Sequence, residues 1–295
     1  MNLIRSDMRL VVVTGKGGTG RTTVAAALAL AAARQGNRTA VAEVAGQSRA
    51  RRLVDGAVDA VTIDPDAALE DWLGRQLPRR LAHLLAHSGA FGAFVGAAPG
   101  ARELVTMYGA WDLVDRGGYD TVILDAPASG HGVALLRTPR TFADIARVGP
   151  IAGQARAVAE ALADPARSAI VAVALPGELA VSETLELERR VDESLGRPLD
   201  AIVVNGVWPR RLAAREAASL DGTLGGRARR AALASAGRVR EQQSQLARLR
   251  REAVAPVRTL PFVFTDRLGH RDVAGLSGRL ERADLGIFGG SSGAN

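Results

Sequence analysis

The chain has 295 residues, of which 47% are hydrophobic and 23% are charged, a balance that is typical of a globular protein and excludes a disordered one. It has no cysteine, so disulfides, thiol catalysis and cysteine-ligated metal sites are excluded, and a cytoplasmic location is expected. Its formal net charge is +7. The length suits either two domains or one large α/β domain.

Short apolar runs predict buried strands over residues 10–13, 39–44, 121–124, 170–175, 201–204 and 257–260. An alanine- and leucine-rich stretch over 22–34 predicts a helix between the first two strands. A strand, a helix and a strand of these lengths imply a right-handed crossover and a parallel sheet. We therefore predict a doubly wound, mostly parallel α/β fold, with a helical insertion over about 66–116 and a basic helical segment over about 210–254.

The loop after the first strand, residues 14–23 (TGKGGTGRTT), fits the phosphate loop (P-loop) motif G-x-x-x-x-G-K-[ST]. Gly15, Gly20 and Thr22 match the motif, and Arg21 stands where a lysine is expected. Backbone amides in such a loop turn toward phosphate oxygens, and the following helix N-terminus adds positive potential. Thr22 would place its hydroxyl on Mg²⁺.

The same loop also fits the dinucleotide motif G-x-G-x-x-G through Gly15, Gly17 and Gly20, with Glu43 available for a ribose hydroxyl. A later strand favours the P-loop, because it ends in Asp125, where P-loop enzymes hold magnesium. The glycine-containing segment that follows, 126–132, suits a loop that moves with the γ-phosphate, and a dehydrogenase needs no such element.

Lys16 is the single lysine among 38 basic residues, and it lies in the glycine-rich loop. A lysine ammonium is slim and flexible, whereas an arginine guanidinium is planar and larger. The contrast indicates that position 16 needs a slim cation.

These residues resemble the deviant-Walker-A ATPases of the arsenite-pump and tail-anchored-protein-targeting family. Residues 16–20 (KGGTG) are similar to the family's signature-lysine loop, and residues 125–131 (DAPASGH) to its magnesium and switch II segment. Supporting segments are 63–69 (IDPDAAL), 98–104 (APGAREL), 175–179 (LPGEL), 203–205 (VVN) and 260–262 (LPF). The resemblance covers about residues 9–285, which we expect to form a single P-loop ATPase domain followed by a flexible tail over 286–295.

The resemblance implies ATP and Mg²⁺ as cofactors and a nucleotide-driven dimer with a homologous ATPase subunit. Lys16 would reach across the interface to the other subunit's phosphates and, with Asp125, take part in catalysis. Thr22 and Asp125 would hold the magnesium, and Asn205 and Pro261 would lie in the adenine pocket. The expected nucleotide-binding residues are Gly15, Lys16, Gly17, Gly18, Thr19, Gly20, Arg21, Thr22, Thr23, Asn205 and Pro261.

Two positions depart from the family pattern. Arg21 replaces the loop lysine that contacts the β- and γ-phosphates, and Ala45 stands where the family places the aspartate that orients the attacking water. Glu43 is expected to lie too far back along its strand to replace that aspartate. Both changes weaken hydrolysis by this subunit but leave Lys16 intact. We therefore hypothesise a hetero-oligomer in which this chain donates Lys16 to ATP on a more complete paralogue, with an active homodimer as the rival.

Two other functions stay open, a catalytically silent regulatory subunit and a partition-type ATPase that binds DNA. DNA binding would use the segment 205–258, where twelve arginines stand against four acidic residues. Solvated helices explain that surplus more simply, and the long insertion argues against the partition type. Nucleic acid and an anionic membrane surface are therefore not the expected partners.

An unknown protein client is expected besides the homologous subunit, and the lack of cysteine excludes an arsenite site built from thiolates. Apolar residues of the insertion have the spacing of one helix face, which core packing explains more simply than a client groove. These residues are Leu69, Trp72, Leu73, Leu77, Leu81, Leu84 and Leu85. Trp111 and Trp208 are expected to pack rather than to stack on a base. His83 and His87 are expected to be structural, and His131 is a candidate γ-phosphate sensor.

Overall fold

The computed structural model describes residues 10–45, 49–76, 100–127, 129–145, 150–210 and 226–282. The strands are β1 (Leu10–Gly15), β2 (Thr39–Val44), β3 (Asp59–Ile63), β4 (Thr121–Asp125), β5 (Ser168–Ala174), β6 (Ala201–Val207) and β7 (Val257–Pro261). The helices in these ranges are α1 (Arg21–Arg34), α2 (Ala50–Val54), α3 (Pro65–Gln76), α4 (Ala101–Asp115), α5 (Ser129–Ile145), α6 (Pro150–Ala163), α7 (Glu178–Leu195), α8 (Gly226–Glu252) and α9 (His270–Arg282).

The seven strands form one sheet in the order β3-β2-β4-β1-β5-β6-β7, and each neighbouring pair is parallel. β1 lies at the centre, where its apolar residues are buried from both faces. The chain builds outward from β1 to β3 and then returns through β4, so the strand order reverses beside β1. Such a reversal opens a crevice at the carboxyl ends of the strands, which is where α/β sheets of this kind bind ligands. The predicted fold class is confirmed.

Helices cover both faces of this sheet, because successive side chains of a strand point to opposite sides. α1, α2 and α9 pack on one face, against Val11, Val13 and Ile123. Helices α4 to α8 pack on the other face, against Val12 and Leu124. Each face therefore has its own apolar core, and the sheet separates the two.

Helix α1 is buried on all sides over nine consecutive residues, 24–32. Most of these residues are alanines, whose small side chains let the helix lie close to the sheet while α9 covers its outer side. At the end of α1, Arg34 donates from Nε to the Oε1 of Glu281 on α9, at 2.7 Å, and also contacts Ser277. These contacts fix the helix whose first turn borders the glycine-rich loop.

The edge strand β3, which pairs only with β2, is missing from the sequence prediction. It is only partly covered, since Asp59 and Thr62 are exposed and Ile63 is buried. An edge strand of this kind lacks the continuous apolar run that identifies the central strands.

Within the predicted insertion, about 66–116, the described residues form α3 and α4. Leu69 and Trp72 of α3 are buried, and the ring centroid of Trp72 lies 6.4 Å from that of Tyr108 on α4. For these two residues the structure agrees with core packing. Other predictions lie outside the described residues, namely those for Leu77, Leu81, His83, Leu84, Leu85 and His87 and for the tail 286–295.

Gly15 ends β1 at a point where the sheet leaves no room for a side chain. Its φ is +140°, and a Cβ atom there would lie 2.4 Å from the carbonyl oxygen of Val173 on the neighbouring strand β5. Gly18, three residues later, also has a positive φ, +84°, but an added Cβ would meet no atom within 4 Å. The first glycine is therefore fixed by packing and backbone together, and the second by backbone alone.

Gly15→Ala should lower the free energy of unfolding by about 2–4 kcal/mol, because it adds a steric clash with the sheet to backbone strain. Gly18→Ala, the control, should lower it by only about 1–2 kcal/mol, since it adds strain alone. Urea denaturation without nucleotide measures both. Equal losses for the two variants would contradict the assigned clash with Val173.

Candidate functional site

The glycine-rich loop lies at the carboxyl end of β1, where it leads into the N-terminus of α1. Thr19 is buried, and its hydroxyl donates a hydrogen bond to the carbonyl oxygen of Lys16 at 2.9 Å, which closes the loop on itself. Gly20 precedes α1 with a φ of +89°, and the helix has no side-chain cap. The first amides of α1 are therefore left for an anion, and the helix dipole favours a phosphate there.

Asp125 is the last residue of β4. It pairs with Val13 of β1, which places it beside the loop. Thr22 donates from Oγ1 to the Oδ2 of Asp125 at 2.5 Å. The other carboxylate oxygen, Oδ1, is buried and has no hydrogen-bond partner in the part of the chain that the structure describes. Burial raises the pKa of Asp125 from 3.8 to about 6, against the opposing effects of Thr22 and Arg21.

The Thr22–Asp125 pair fits a magnesium ion. A hydroxyl and a carboxylate are the hard oxygen ligands that Mg²⁺ prefers, and Oδ1 of Asp125 is a buried acceptor without a donor. Within the described ranges, no group of three or more histidine, cysteine or acidic residues could hold a metal by itself. Mg²⁺ is commonly bound through one or two protein ligands together with substrate phosphates and water.

Arg21, at the position of the usual loop lysine, is turned toward the end of β4. Its guanidinium donates a hydrogen bond to the carbonyl oxygen of Ala126 and lies near Asp125. Burial lowers the pKa of Arg21 from its usual value, and the charge of Asp125 opposes that shift. Arg21 thus joins the P-loop to the segment that follows β4.

Glu43 is buried near the end of β2, beside Asp125. It is level with Asp125 in the β2–β4 pairing, and it is 3% exposed. Its Oε1 accepts a hydrogen bond from the backbone amide of Arg49, at 3.1 Å, just before α2. Its charge is also one of the causes that raise the pKa of Asp125. That Glu43 lies too far back to replace the missing aspartate stays a prediction, and Ala45 follows the strand, is exposed and carries no carboxylate.

A cleft of about 510 Å³ opens beside the loop, between the carboxyl ends of β5, β6 and β7. Asn205 lies in it, and its Nδ2 donates to the carbonyl oxygen of Thr19 at 3.0 Å, so its Oδ1 is an acceptor. A Cβ at Gly20 would lie 2.2 Å from that Nδ2. The lining residues are Gly18, Thr19, Gly20, Thr23, Leu175, Pro176, Gly177, Asn205, Gly206, Trp208, Arg238, Glu241, Gln242, Pro261, Phe262, Val263, Leu268 and Leu276.

The cleft brings together six of the predicted nucleotide-binding residues, Gly18, Thr19, Gly20, Thr23, Asn205 and Pro261. It also contains Trp208 and three residues of α8 that the sequence patterns do not indicate. Trp208 was expected to pack; it is half-buried and faces the cleft. Its place three residues after Asn205, a predicted site residue, was the signal in the sequence that could have indicated its position in the cleft. Trp111 is buried, as expected, and the guanidinium carbon of Arg167 lies 4.8 Å from its ring centroid.

Lys16 does not line this cleft. Its side chain is 51% exposed, and its ammonium forms an ion pair with Glu183 on α7, whose side chain is 34% exposed. The candidate γ-phosphate sensor, His131, lies at the start of α5, but its side chain is outside the described part. Among the described residues, no helix is both long and apolar enough to cross a bilayer.

Known proteins to which this chain is similar include ones that are ATPases by name. A sequence profile described as anion-transporting ATPase matches residues 8–149. The ATPase BagA of Mycobacterium tuberculosis is 30% identical over 257 residues, which are 79% of this chain and 75% of that protein. Two arsenical pump-driving ATPases are similar over less of their length. The one from Escherichia coli is 27% identical over 71% of this chain and 41% of its own. The one from Acidiphilium multivorum is 26% identical over 74% and 42%.

Asp125→Asn should change how the stability of the metal-free protein depends on pH. The folded pKa of about 6 exceeds the usual value of 3.8, so the folded state holds a proton that the unfolded state releases between these values. The free energy of unfolding of the wild type should therefore fall by about 2–3 kcal/mol as the pH rises through this window. Asp125→Asn should remove that decline.

Urea denaturation in a metal chelator, at several pH values, measures the effect. Asp66→Asn is the control, because it removes the same charge from a side chain that is 80% exposed. It should keep the wild-type decline. A decline that persists in Asp125→Asn would contradict the raised pKa of Asp125.

Proposed function

The chain belongs to the anion-transporting, ArsA-type ATPase family, and from this membership we propose that it binds ATP with Mg²⁺ and acts as a nucleotide-driven dimeric switch. One observation carries the proposal. The Thr22–Asp125 pair, whose Oδ1 has no partner among the described residues, lies on the β4 side of the P-loop, and a cleft that could accept a nucleoside opens on the β5 side. A triphosphate on the amides of α1 would connect the two.

Each residue of the site has a role in this proposal. The amides at the start of α1 hold the phosphates, and Asn205 offers its Oδ1 to the amino group of adenine. Thr22 and Asp125 hold the magnesium ion, which supplies charge neutralisation between the β- and γ-phosphates. Arg21 binds phosphate in place of lysine, with its planar guanidinium next to Ala126.

Lys16 supplies its charge to a second subunit. An ammonium that is half exposed, away from the cleft of its own chain, is free to approach phosphates bound by a partner. There it would offset the charge that develops on the transferred phosphoryl group. The partner in this proposal is a homologous ATPase subunit.

The weak point of the site is the residue that orients the attacking water. Ala45 cannot do so, and this supports a hetero-oligomer in which the chain donates Lys16 to a more complete paralogue. One observation favours the rival, an active homodimer. Glu43 is buried level with Asp125, where a carboxylate could take over the role of the missing aspartate. In the described part of the site, no feature favours the regulatory or the DNA-binding alternative.

Lys16→Ala separates the two candidates when ATP hydrolysis is measured for this chain alone and mixed with a homologous subunit that has the loop lysine and the aspartate. For the hetero-oligomer, the mixture should turn over faster than the two subunits measured separately. Lys16→Ala should reduce this gain in turnover about 100-fold or more, because the lost charge acts on the transition state. Lys16→Arg, which keeps the charge on a planar group, should restore it only in part.

A homodimer gives a different result, in which the chain alone turns over and Lys16→Ala abolishes that turnover. Full turnover by the isolated chain that Lys16→Ala leaves unchanged would refute the role of Lys16 in both candidates. No binding of ATP with magnesium by the chain or the mixture would refute the proposed function itself.

Glu183→Gln should strengthen dimerisation in the presence of a non-hydrolysable ATP analogue by about two- to five-fold. Glu183 holds Lys16 in the free subunit, and an exposed ion pair of this kind is worth about 0.2–1 kcal/mol. Analytical ultracentrifugation measures the dissociation constant. Glu186→Gln is the control, since Glu186 lies on the same helix but pairs with Arg189 and Arg190. Equal or weaker association of Glu183→Gln than of the control would contradict a competition for Lys16.

A further inference from the structure

The residue before the glycine-rich loop, Thr14, has a buried hydroxyl that the roles proposed above do not use. Thr14 is 0% exposed, and its Oγ1 has no hydrogen-bond partner among the described residues. Buried polar groups in native proteins almost always have a partner, because an unmatched one is destabilising. A hydroxyl of this kind at the end of β1 is therefore a candidate for a contact that forms in another state of the subunit.

The hydroxyl of Thr14 faces the start of α5. Side chains alternate along a strand, so Thr14 points to the same face of the sheet as Val12, which helices α4 to α8 cover. Gly132, in the first turn of α5, is buried there, and a Cβ atom on it would lie 2.4 Å from the Oγ1 of Thr14. The φ of Gly132 is not in the left-handed region. Close packing on Thr14, and not backbone conformation, therefore requires a glycine at this position.

A carbonyl oxygen lies near this hydroxyl without accepting a hydrogen bond from it. The carbonyl oxygen of Pro127 borders the same space, 3.4 Å from where a Cβ atom of Gly132 would be. The preceding residue, Ala126, is held on two sides. Its carbonyl oxygen accepts from Arg21, and its amide donates to the carbonyl oxygen of Val13 at 3.0 Å. A small rotation of the backbone just past Ala126 would thus be enough to bring the Pro127 carbonyl and the hydroxyl together.

We propose that Thr14 is a positioning residue, whose hydroxyl donates to the carbonyl oxygen of Pro127 when ATP is bound. The inference rests on the proposed function, because the ligand is the triphosphate that the P-loop would hold. The chain after Asp125 is expected to follow the γ-phosphate, and this hydrogen bond fixes it beside that group. Since the hydroxyl is unmatched otherwise, the contact favours the ATP-bound arrangement over the others.

The experiment is calorimetric binding of the magnesium complexes of ADP and of adenylyl imidodiphosphate, an ATP analogue that resists hydrolysis, to the wild type, Thr14→Val and Thr14→Ser. Valine is branched like threonine but has no hydroxyl. Thr14→Val should bind the ATP analogue about three- to ten-fold more weakly, the usual effect of one hydrogen bond, and ADP as tightly as the wild type. Thr14→Ser keeps the hydroxyl and should regain most of the affinity. Equal weakening for both nucleotides, or for neither, would overturn the role of Thr14.

Urea denaturation without nucleotide separates this role from a structural one. Thr14→Val should not lower the urea midpoint, because the hydroxyl has no hydrogen bond to lose among the described residues. Thr106→Val is the control, since Thr106 is also buried but donates to the carbonyl oxygen of Arg102 at 2.7 Å. It should lower the midpoint and leave both nucleotide affinities unchanged. A midpoint that falls as far in Thr14→Val as in Thr106→Val would overturn the proposal.

The same measurements distinguish failure of this inference from failure of the proposed function. A wild type that binds the ATP analogue with magnesium, but no more tightly than Thr14→Val does, would overturn the role of Thr14 and leave the ATPase proposal in place. A wild type that binds neither nucleotide would overturn both.

Discussion

The site depends on one buried carboxylate, that of Asp125. It is 1% exposed, and among the described residues only one of its oxygens has a donor, the hydroxyl of Thr22. Burial of a charge without full compensation is unfavourable, and the raised pKa of Asp125 expresses this cost. The sheet maintains the arrangement because β4 lies directly beside β1, which brings the end of one strand against the helix that begins after the other. A divalent cation bound at this carboxylate, as proposed, would offset the cost of its burial, and part of that cost would then appear as affinity for the metal.

Most of the fold was predictable, because the signals were local. Apolar runs identified the buried strands, and glycines with Thr22 identified the loop. β3 was missed since its edge position leaves it partly exposed, so its composition resembles that of a loop. Glu43 shows a different limit. Its place two residues before Ala45 was the only fact that the sequence offered, and its pairing level with Asp125 depends on strand register, which is not visible in one sequence. The α8 residues of the cleft likewise depend on tertiary packing.

The two cations of the loop have different surroundings, which explains why only one is a lysine. Arg21 is half-buried against the carbonyl oxygen of Ala126, where a planar group with several donors can bind a carbonyl and a phosphate from one position. Lys16 stands on the surface and meets Glu183, a contact that a flexible ammonium can exchange for another at little cost. The first is a fixed part of the chain's own site, and the second is a mobile charge.

Helix α8 is anchored in the apolar core by its second half. Its buried residues are Val239, Leu246 and Leu249, and none of residues 226–238 is buried. These thirteen residues extend about 20 Å beyond the anchored part, at the usual rise of a helix. Since Arg238 and Gln242 touch Trp208 where the anchored part begins, a rotation of about 10° there would displace the first turn of the helix by about 3 Å. The length of the helix would therefore turn a small rotation beside the cleft into a larger displacement of its arginine-rich first turns.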